Sequence, residues 1–347
     1  MSLKNSSVKT KIHKLFRNKL NNKKINKIYK KFENSLNINE SFIVAVSGGP
    51  DSLALAFLSK IYSIKNKLVS KFYIVDHRLR NESTNEAKIV RKILGKYSIN
   101  AQILSWHGPK PSNNIQSVAR NKRYELLFKE CKKLNIKNIL LGHHQDDLFE
   151  NFFIRIFRGS GLKGLISLDK KTAYNGVNLL RPLLDQKKDD LIYLSKKIFD
   201  FYIDDPSNKD EKFKRIKIRK LLDELKKNGL SEENFYKTIK NLKSSDTVVN
   251  FYVSENLDKN SFFSTKKNHF ILNDNFFKQP DEVVFRSFSN SLKLVSKKYY
   301  PVRGKKLDNI IKKIKYNEFS KETLGGCIIE KVKQSVIISK EHKLKWK

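Results

Sequence analysis

Cysteine is nearly absent from this chain of 347 residues: there are two, Cys131 and Cys327, far apart and with no Cys or His cluster near either. That scarcity argues against a disulfide framework, a zinc finger or an iron–sulfur cluster held by this chain alone, and it suits a reducing compartment. Long apolar runs are missing too. Nothing approaches the ~20 apolar residues that span a bilayer, and no secretory hydrophobic segment opens the chain, so a cytoplasmic protein with no membrane partner is expected. Acidic residues are the third shortage, 35 Asp and Glu against 72 Lys and Arg, for a formal net charge of +37. Such an excess attracts polyanions through its long-range field and through release of counterions from phosphates. Nucleic acid is the leading partner and an anionic membrane surface the second. Lys, Asn and Ile abound throughout, so drift in composition explains part of the lysine count; it does not remove the field.

Hydrophobic residues make up 39% of the chain, enough for sizeable cores, and the length suits two domains or slightly more at ~150 residues each. Residues 1–40, rich in Lys and Asn, read as a basic helical N-terminal extension. From Ser41 the pattern changes. Phe42-Ile43-Val44-Ala45-Val46 is a short continuous apolar run, as expected of a strand buried on both faces. A Gly-rich turn follows, then helical periodicity from Leu53 to Tyr62. A second strand is expected over Phe72–Val75, and Ser83 with Glu86 gives the spacing of a capping box opening a helix through about Tyr97. Ala101–Trp106 reads as a third strand, Ile115–Leu134 as a long helix, Ile139–Leu141 as a fourth strand, and about Asp146 to Phe157 as a helix. This alternation predicts an α/β fold, a Rossmann-like parallel sheet with helices on both faces. Ligands of such sheets bind at the carboxyl ends of the strands.

Beyond Arg158 the reading is a Gly-rich loop, an irregular stretch to Leu180, a helix over Asp185–Phe201, a turn cluster and a basic helix over Phe213–Lys227. Asn228-Gly229 is a helix stop and the expected domain boundary. Residues 229–347 read as a smaller C-terminal α+β unit, with a helix near Glu232–Val249, β-like pieces near Phe270 and Ile328, and a helix near Gly304–Lys315.

Two segments carry chemistry. Ser47-Gly48-Gly49-Pro50-Asp51-Ser52 lies between a buried strand and a helix. Its glycines allow a tight turn and close approach to a ligand, and its hydroxyls and the helix N-terminus favour a phosphate. The Lys-Ser/Thr ending of a Walker A loop is absent. Gly142-His143-His144-Gln145-Asp146-Asp147-Leu148-Phe149-Glu150 runs from the fourth strand into a helix. Asp147 and Glu150, three apart, share one helical face. Two acids and a histidine there could bind an amine, hold a metal or shuttle protons.

The hexapeptide resembles the SGGxDS loop of the PP-loop, or N-type, ATP pyrophosphatases. Together with Val75-Asp76-His77-Arg78-Leu79-Arg80, Ala119-Arg120-Asn121-Lys122-Arg123-Tyr124, the acidic segment, Arg158-Gly159-Ser160-Gly161-Leu162, Arg181-Pro182-Leu183-Leu184 and Asp204-Asp205-Pro206-Ser207-Asn208, it resembles the tRNA(Ile)-lysidine synthases over roughly residues 41–225; Thr323-Leu324-Gly325-Gly326-Cys327 adds a fainter match. Two departures stand out: Asn151 where that family has Thr, and Arg215-Ile216 where it has Arg-Asn.

The resemblance implies a catalytic domain over residues 41–228 with the PP-loop ATPase fold, and a tRNA-binding C-terminal domain over 229–347. It implies ATP and Mg²⁺ as cofactors, and an isoleucine tRNA with a CAU anticodon and L-lysine as substrates; a homodimer is an assembly such a chain could form. ATP would adenylate the 2-oxo group of the wobble cytidine, and the lysine ε-amine would then displace AMP. On this reading Ser47, Gly48, Gly49, Pro50, Asp51 and Ser52 hold the nucleotide, Asp51 also holds the metal, and His77 and Arg78 lie near the adenosine. Asp147 and Glu150 catch the ammonium group, His143 contacts the adenylate, and Arg123 (or Arg120) neutralises phosphate. Arg158, Gly159, Ser160, Gly161, Arg215 and Arg219 contact the RNA substrate. The alternatives are another PP-loop tRNA-modifying enzyme of the 2-thiocytidine type, which would carry clustered cysteines, and a non-catalytic RNA-binding protein.

Overall fold

The structure, a computed structural model, describes residues 16, 18–109, 111–174, 176–204, 214–267, 269–297, 302 and 304–341. Two compact units divide the chain, Met1–Glu232 and Glu233–Lys347.

Helix α1 (Lys23–Leu36) opens the first unit. Asn22 caps it, its side-chain oxygen accepting from the amides of Lys24 (3.0 Å) and Ile25 (3.2 Å), as a good N-cap residue does. Ile25, Ile28, Tyr29, Phe32 and Leu36 form its buried stripe. The helix expected to stand as a basic extension is therefore built into the core, where Phe32 meets Tyr62 edge-on at 6.1 Å.

Then come β1 (Phe42–Val46), α2 (Pro50–Lys65), β2 (Ser70–Asp76), α3 (Ser83–Lys96), β3 (Ala101–Ser105), α4 (Ile115–Leu134), β4 (Asn138–Leu140) and α5 (Gln145–Ile156). The four expected strands and their helices are all present. Two more strands, β5 (Lys171–Tyr174) and β6 (Val177–Leu180), occupy the stretch read as irregular. Each has only four residues, and β5 is a half-exposed edge, too short for alternation to register in sequence. Helices α6 (Lys188–Phe199) and α7 (Lys214–Lys227) complete the unit. The sheet order is β3-β2-β1-β4-β6-β5, parallel except for the antiparallel β5. The chain leaves β1 for β2 on one side and returns as β4 on the other, which opens a crevice at the carboxyl ends of β1 and β4.

The capping box expected at Ser83 is not formed. Ser83 Oγ donates to Asp76 Oδ1 (2.8 Å), Thr84 Oγ1 to Asp76 Oδ2 (2.7 Å), and Glu86 is engaged by Arg80 (2.8 Å). A buried carboxylate at the end of β2 outcompetes the helix for those hydroxyls. Of the turn Asp204–Asn208 only Asp204 lies within the described residues, and Phe213 and residues 1–15 also lie outside them.

The second unit holds a 29-residue helix α8 (Glu232–Asn260), strands β7 (Ser261–Ser264) and β8 (His269–Leu272), helices α9 (Asp281–Ser296) and α10 (Gly304–Lys315), and strands β9 (Lys321–Leu324), β10 (Cys327–Val332) and β11 (Ser335–Lys340). Its antiparallel sheet runs β7-β8-β11-β10-β9 around its own core. It is α+β, as expected. Helix α9 was not foreseen, because its buried face includes Arg286, Ser287 and Ser291 among the apolar residues.

Candidate active site

The turn after β1 bends at Gly48, whose φ of +90° suits glycine alone among common residues. A Cβ there would sit 2.7 Å from both Ile203 Cδ1 and Val90 Cγ2. Ile203 N–H donates to the Gly48 carbonyl (3.0 Å), and Ser195 Oγ donates to the Pro50 carbonyl (2.6 Å), so the loop is pinned from the chain around α6. Pro50 stands at the first turn of α2, where its missing N–H is no loss. Ser52 Oγ, nearly buried, accepts from the amides of Ser47 and Gly48 (both 3.1 Å) and donates to the Gly49 carbonyl (3.0 Å). Those two amides are thus turned onto Ser52 and are not presented to a ligand.

Two adjoining cavities lie along the carboxyl ends of the strands and share Ser47, Val75 and Arg123 in their walls. The first is bounded by Ser47, Gly49, Asp51 and Ser52 on one side, Gly142 and His143 on another, and Arg120, Arg123 and Tyr124 of α4 across from them. The second is more apolar, walled by Ile74, Leu79, Ala87, Ile115, Ala119 and Ile203 with His77 at its edge. A polar, cationic chamber next to an apolar one fits a nucleotide, with phosphates in the first and a base in the second. His77 is pushed down to about 4 by burial and then by Arg123, against the pull of Asp76, so at neutral pH its ring is uncharged. Arg78 is turned elsewhere: its amide donates to Asp76 Oδ1 (3.0 Å) and its Nη1 meets His107 Nδ1 at 3.0 Å. It does not line either cavity among the described residues.

Helix α5 begins where β4 ends, against the loop. A Cβ on Gly142 would contact the backbone of Asp51 and Ser52 at 3.4 Å. His144, whose side chain is 5% exposed, has Nε2 at 3.5 Å from Asp51 Oδ2 and 3.6 Å from Asp147 Oδ2, with Asp146 at 3.9 Å from Nδ1. Burial alone would lower its pKa; the acids outweigh that and lift it to about 9, Asp51 foremost. The ring therefore carries a proton at neutral pH and ties the loop carboxylate to the helix carboxylate. His143 is the opposite case, pushed down to about 3 by burial, with Arg181, Arg120 and Arg215 adding to the effect against Asp147. The two neighbouring histidines hold different charge. Sequence singled out His143 of the pair; the linking role of His144 appears only when the helix cap is formed.

Asp147 Oδ2 also accepts from the His144 amide (3.0 Å). Burial would raise its pKa, but His144, followed by His143, holds it below the usual carboxylate range. Glu150, 2% exposed, meets Arg219 Nε of α7 through Oε1 at 2.5 Å, and Arg215 Nε lies 3.9 Å from Oε2. Burial pushes its pKa up despite Arg219. The packing of α7 on α5 thus brings Glu150, Arg215 and Arg219 together. Arg158, Gly159, Ser160 and Gly161 form a surface turn after α5, outside both cavities.

Asp51 Oδ1 is buried and has no hydrogen-bond partner among the described residues, and no group of three or more His, Cys, Asp or Glu among them could cage a metal. One carboxylate oxygen on the wall of the arginine-lined chamber would suit Mg²⁺, which takes few protein ligands and relies on water and substrate phosphates.

Residues 18–225 match the family described as a PP-loop domain. The chain is 33% identical over 316 residues to a tRNA(Ile)-lysidine synthase of Wolbachia sp. subsp. Brugia malayi, covering 87% of this chain and 71% of that protein. It is 34% identical over 317 residues to one of Orientia tsutsugamushi, covering 87% and 70%. Among solved structures it is similar to a U34-tRNA thiolase from Methanococcus maripaludis, with a TM-score of 0.54 and 19% identity over 64% of this chain and 79% of that one; that likeness carries the fold alone.

Proposed function

The chain belongs to the PP-loop family and, within it, to the tRNA(Ile)-lysidine synthases, and we propose that it activates the wobble cytidine of an isoleucine tRNA with ATP and joins L-lysine to it. The observation that carries this reading is the juxtaposition of the Ser47–Ser52 turn, lining a cationic chamber, with the acidic start of α5 through His144. A cytidine carbonyl oxygen is a poor leaving group; transfer of AMP to it turns that oxygen into a good one, and pyrophosphate departs. The Ser47 hydroxyl and the first-turn amides of α2 hold the diphosphate, with Ser52 bracing the turn beneath them, and Arg123 or Arg120 neutralises the transferring phosphate. Mg²⁺ held at Asp51 would supply further positive charge there. Adenosine occupies the apolar chamber beside His77. Uncharged His143 contacts the adenylate as a hydrogen-bonding group.

The lysine ammonium is caught by Asp147 and the Oε2 edge of Glu150, and must lose a proton to attack carbon 2. Glu150, whose pKa burial pushes up, is the better proton acceptor of the two, while Asp147, held below the usual carboxylate range, stays charged and holds the ammonium. A target base in an anticodon loop is already unpaired, so little unstacking is needed to reach it. Both cysteines are buried, one in each unit, which favours this reaction over sulfur transfer. Such an enzyme would work in the cytoplasm; no helix among the described residues is long and apolar enough to cross a membrane.

The test is incorporation of radiolabelled lysine into an isoleucine tRNA bearing CAU, with ATP and Mg²⁺. Label should require ATP and vanish with Asp51→Ala. Label on a methionine tRNA with the same anticodon would refute the specificity, and no label on any tRNA would refute the reaction.

A further inference from the structure

A third concavity, sharing no residue with the two described above, lies between α1 and the start of α6. Lys23, Lys24, Lys27 and Lys31 line one side, Lys187 the other, and Ile28 and Gln186 the floor; Asp190 is the sole acid. Lys23, Lys27 and Lys31 recur every fourth residue, so they form one stripe about 6 Å apart along the axis, comparable to the separation of successive phosphates in an RNA strand. All three are exposed. Lys24 is tied to Asp190 (3.2 Å) and lies over the Tyr193 ring (4.4 Å); Lys187 reaches Glu232 at 3.6 Å.

This arrangement works against the helix that carries it. Like charges four apart repel, and cations in a first turn oppose the macrodipole; α1 has no acid in its first turn. The groove floor, in contrast, is fixed. Gln186, 1% exposed, donates through Nε2 to the Ile28 carbonyl (3.1 Å), and its own carbonyl accepts from the Gln145 amide (3.0 Å), the first residue of α5. One buried residue thus joins the lysine stripe to the helix bearing Asp147 and Glu150.

We infer that this groove is a track for the sugar–phosphate backbone of the substrate RNA, set at a fixed distance from the catalytic cleft. The inference rests on the reading of a tRNA substrate. A concave, two-walled, lysine-lined channel fits a strand better than a plane. A bilayer surface would also need apolar anchors, and among the described residues no large hydrophobic side chain is exposed between Phe16 and Leu68 or between Arg158 and Thr247. Contacts of this kind position RNA without reading its sequence.

The full-length double variant Lys27→Gln/Lys31→Gln tests it, with circular dichroism and ATP binding as controls for fold and cleft. Two lost phosphate contacts should reduce the slope of log K against log salt by about 1.4–1.8 and weaken tRNA binding roughly ten- to thirtyfold at about 0.15 M salt, given ~0.7–0.9 ions released per contact. The weakening should be equal for polyuridine and for an unrelated tRNA. Unchanged affinity and slope in a folded variant would overturn the inference. So would loss of binding to phosphatidylserine vesicles with tRNA binding intact. Because these are binding measurements, they judge the groove even if the wild-type protein transfers no lysine, a result that would sink the functional reading alone.

Discussion

Glu150→Gln removes the charge of a buried, ion-paired carboxylate of the site, and two separable effects should follow. Glu150 is 2% exposed while the side chain of Arg219 is 32% exposed. Breaking a fully buried pair costs about 3–5 kcal/mol. Water reaches the guanidinium here, and a glutamine oxygen can still accept from Arg219, so about 1–2 kcal/mol is expected. For the unit Met1–Glu232 that corresponds to a melting temperature roughly 2–8 °C lower. The second effect concerns lysine. Oε1 is taken by Arg219, whereas Oε2 is buried with no hydrogen-bond partner among the described residues. Oε2, faced among them only by Arg215 Nε at 3.9 Å, is therefore the atom left to pair with an incoming ammonium. Loss of one charge-assisted hydrogen bond, about 1.5–3 kcal/mol, should raise the lysine concentration for half-maximal label transfer roughly 10- to 150-fold. Pyrophosphate release with tRNA and ATP but no lysine should be spared. A lowered melting temperature with unchanged lysine dependence would refute the reasoning, reducing Glu150 to an anchor for α7.

Gly48→Ala forces a side chain into a left-handed backbone and against Ile203 and Val90; about 1–3 kcal/mol of destabilisation and marked loss of ATP affinity are expected, and retained nucleotide binding by calorimetry would contradict the loop assignment. Phe32→Ala, at a fully buried position of α1, should cost about 3–5 kcal/mol; a loss under about 1 kcal/mol in urea titration would mean that α1 is not part of the core. In metal-free protein His144, with a folded pKa of about 9, contributes stability that is complete below its ordinary pKa and is lost as pH rises through 9, on the order of 3 kcal/mol. His143, held down to about 3, acts in the other direction: stability falls as pH drops from its ordinary pKa toward 3, because a buried neutral ring must take up charge. Urea midpoints should peak near pH ~6.5, and a His144→Asn variant that keeps the alkaline loss would exclude His144 as its origin.

Much of the fold and the location of the site could be read from residue order. Phe42–Val46 and Ile139–Leu141 are apolar throughout because both sheet faces are covered, and the helices between them carry their own periodicity. The turn Ser47–Ser52 and the acidic start of α5 fall at strand ends, where a parallel sheet opens its crevice. Strands β5 and β6 escaped, being four residues each and half at an edge, and α9 escaped because it buries an arginine and two serines.

What no linear pattern contains is which neighbour each polar group meets. Sequence set His143 and His144 side by side and singled out His143; only the fold surrounds one with arginines and the other with three carboxylates, leaving the first uncharged and the second protonated. It likewise could not show that Arg78 turns to His107, that Ser52 takes the loop amides, or that Arg219, 69 residues away, closes on Glu150. Periodicity and turn chemistry act over a few residues and survive in sequence. Electrostatic and hydrogen-bonding partners are fixed by distances in space, and those arise only after α5, α7 and the loop have packed.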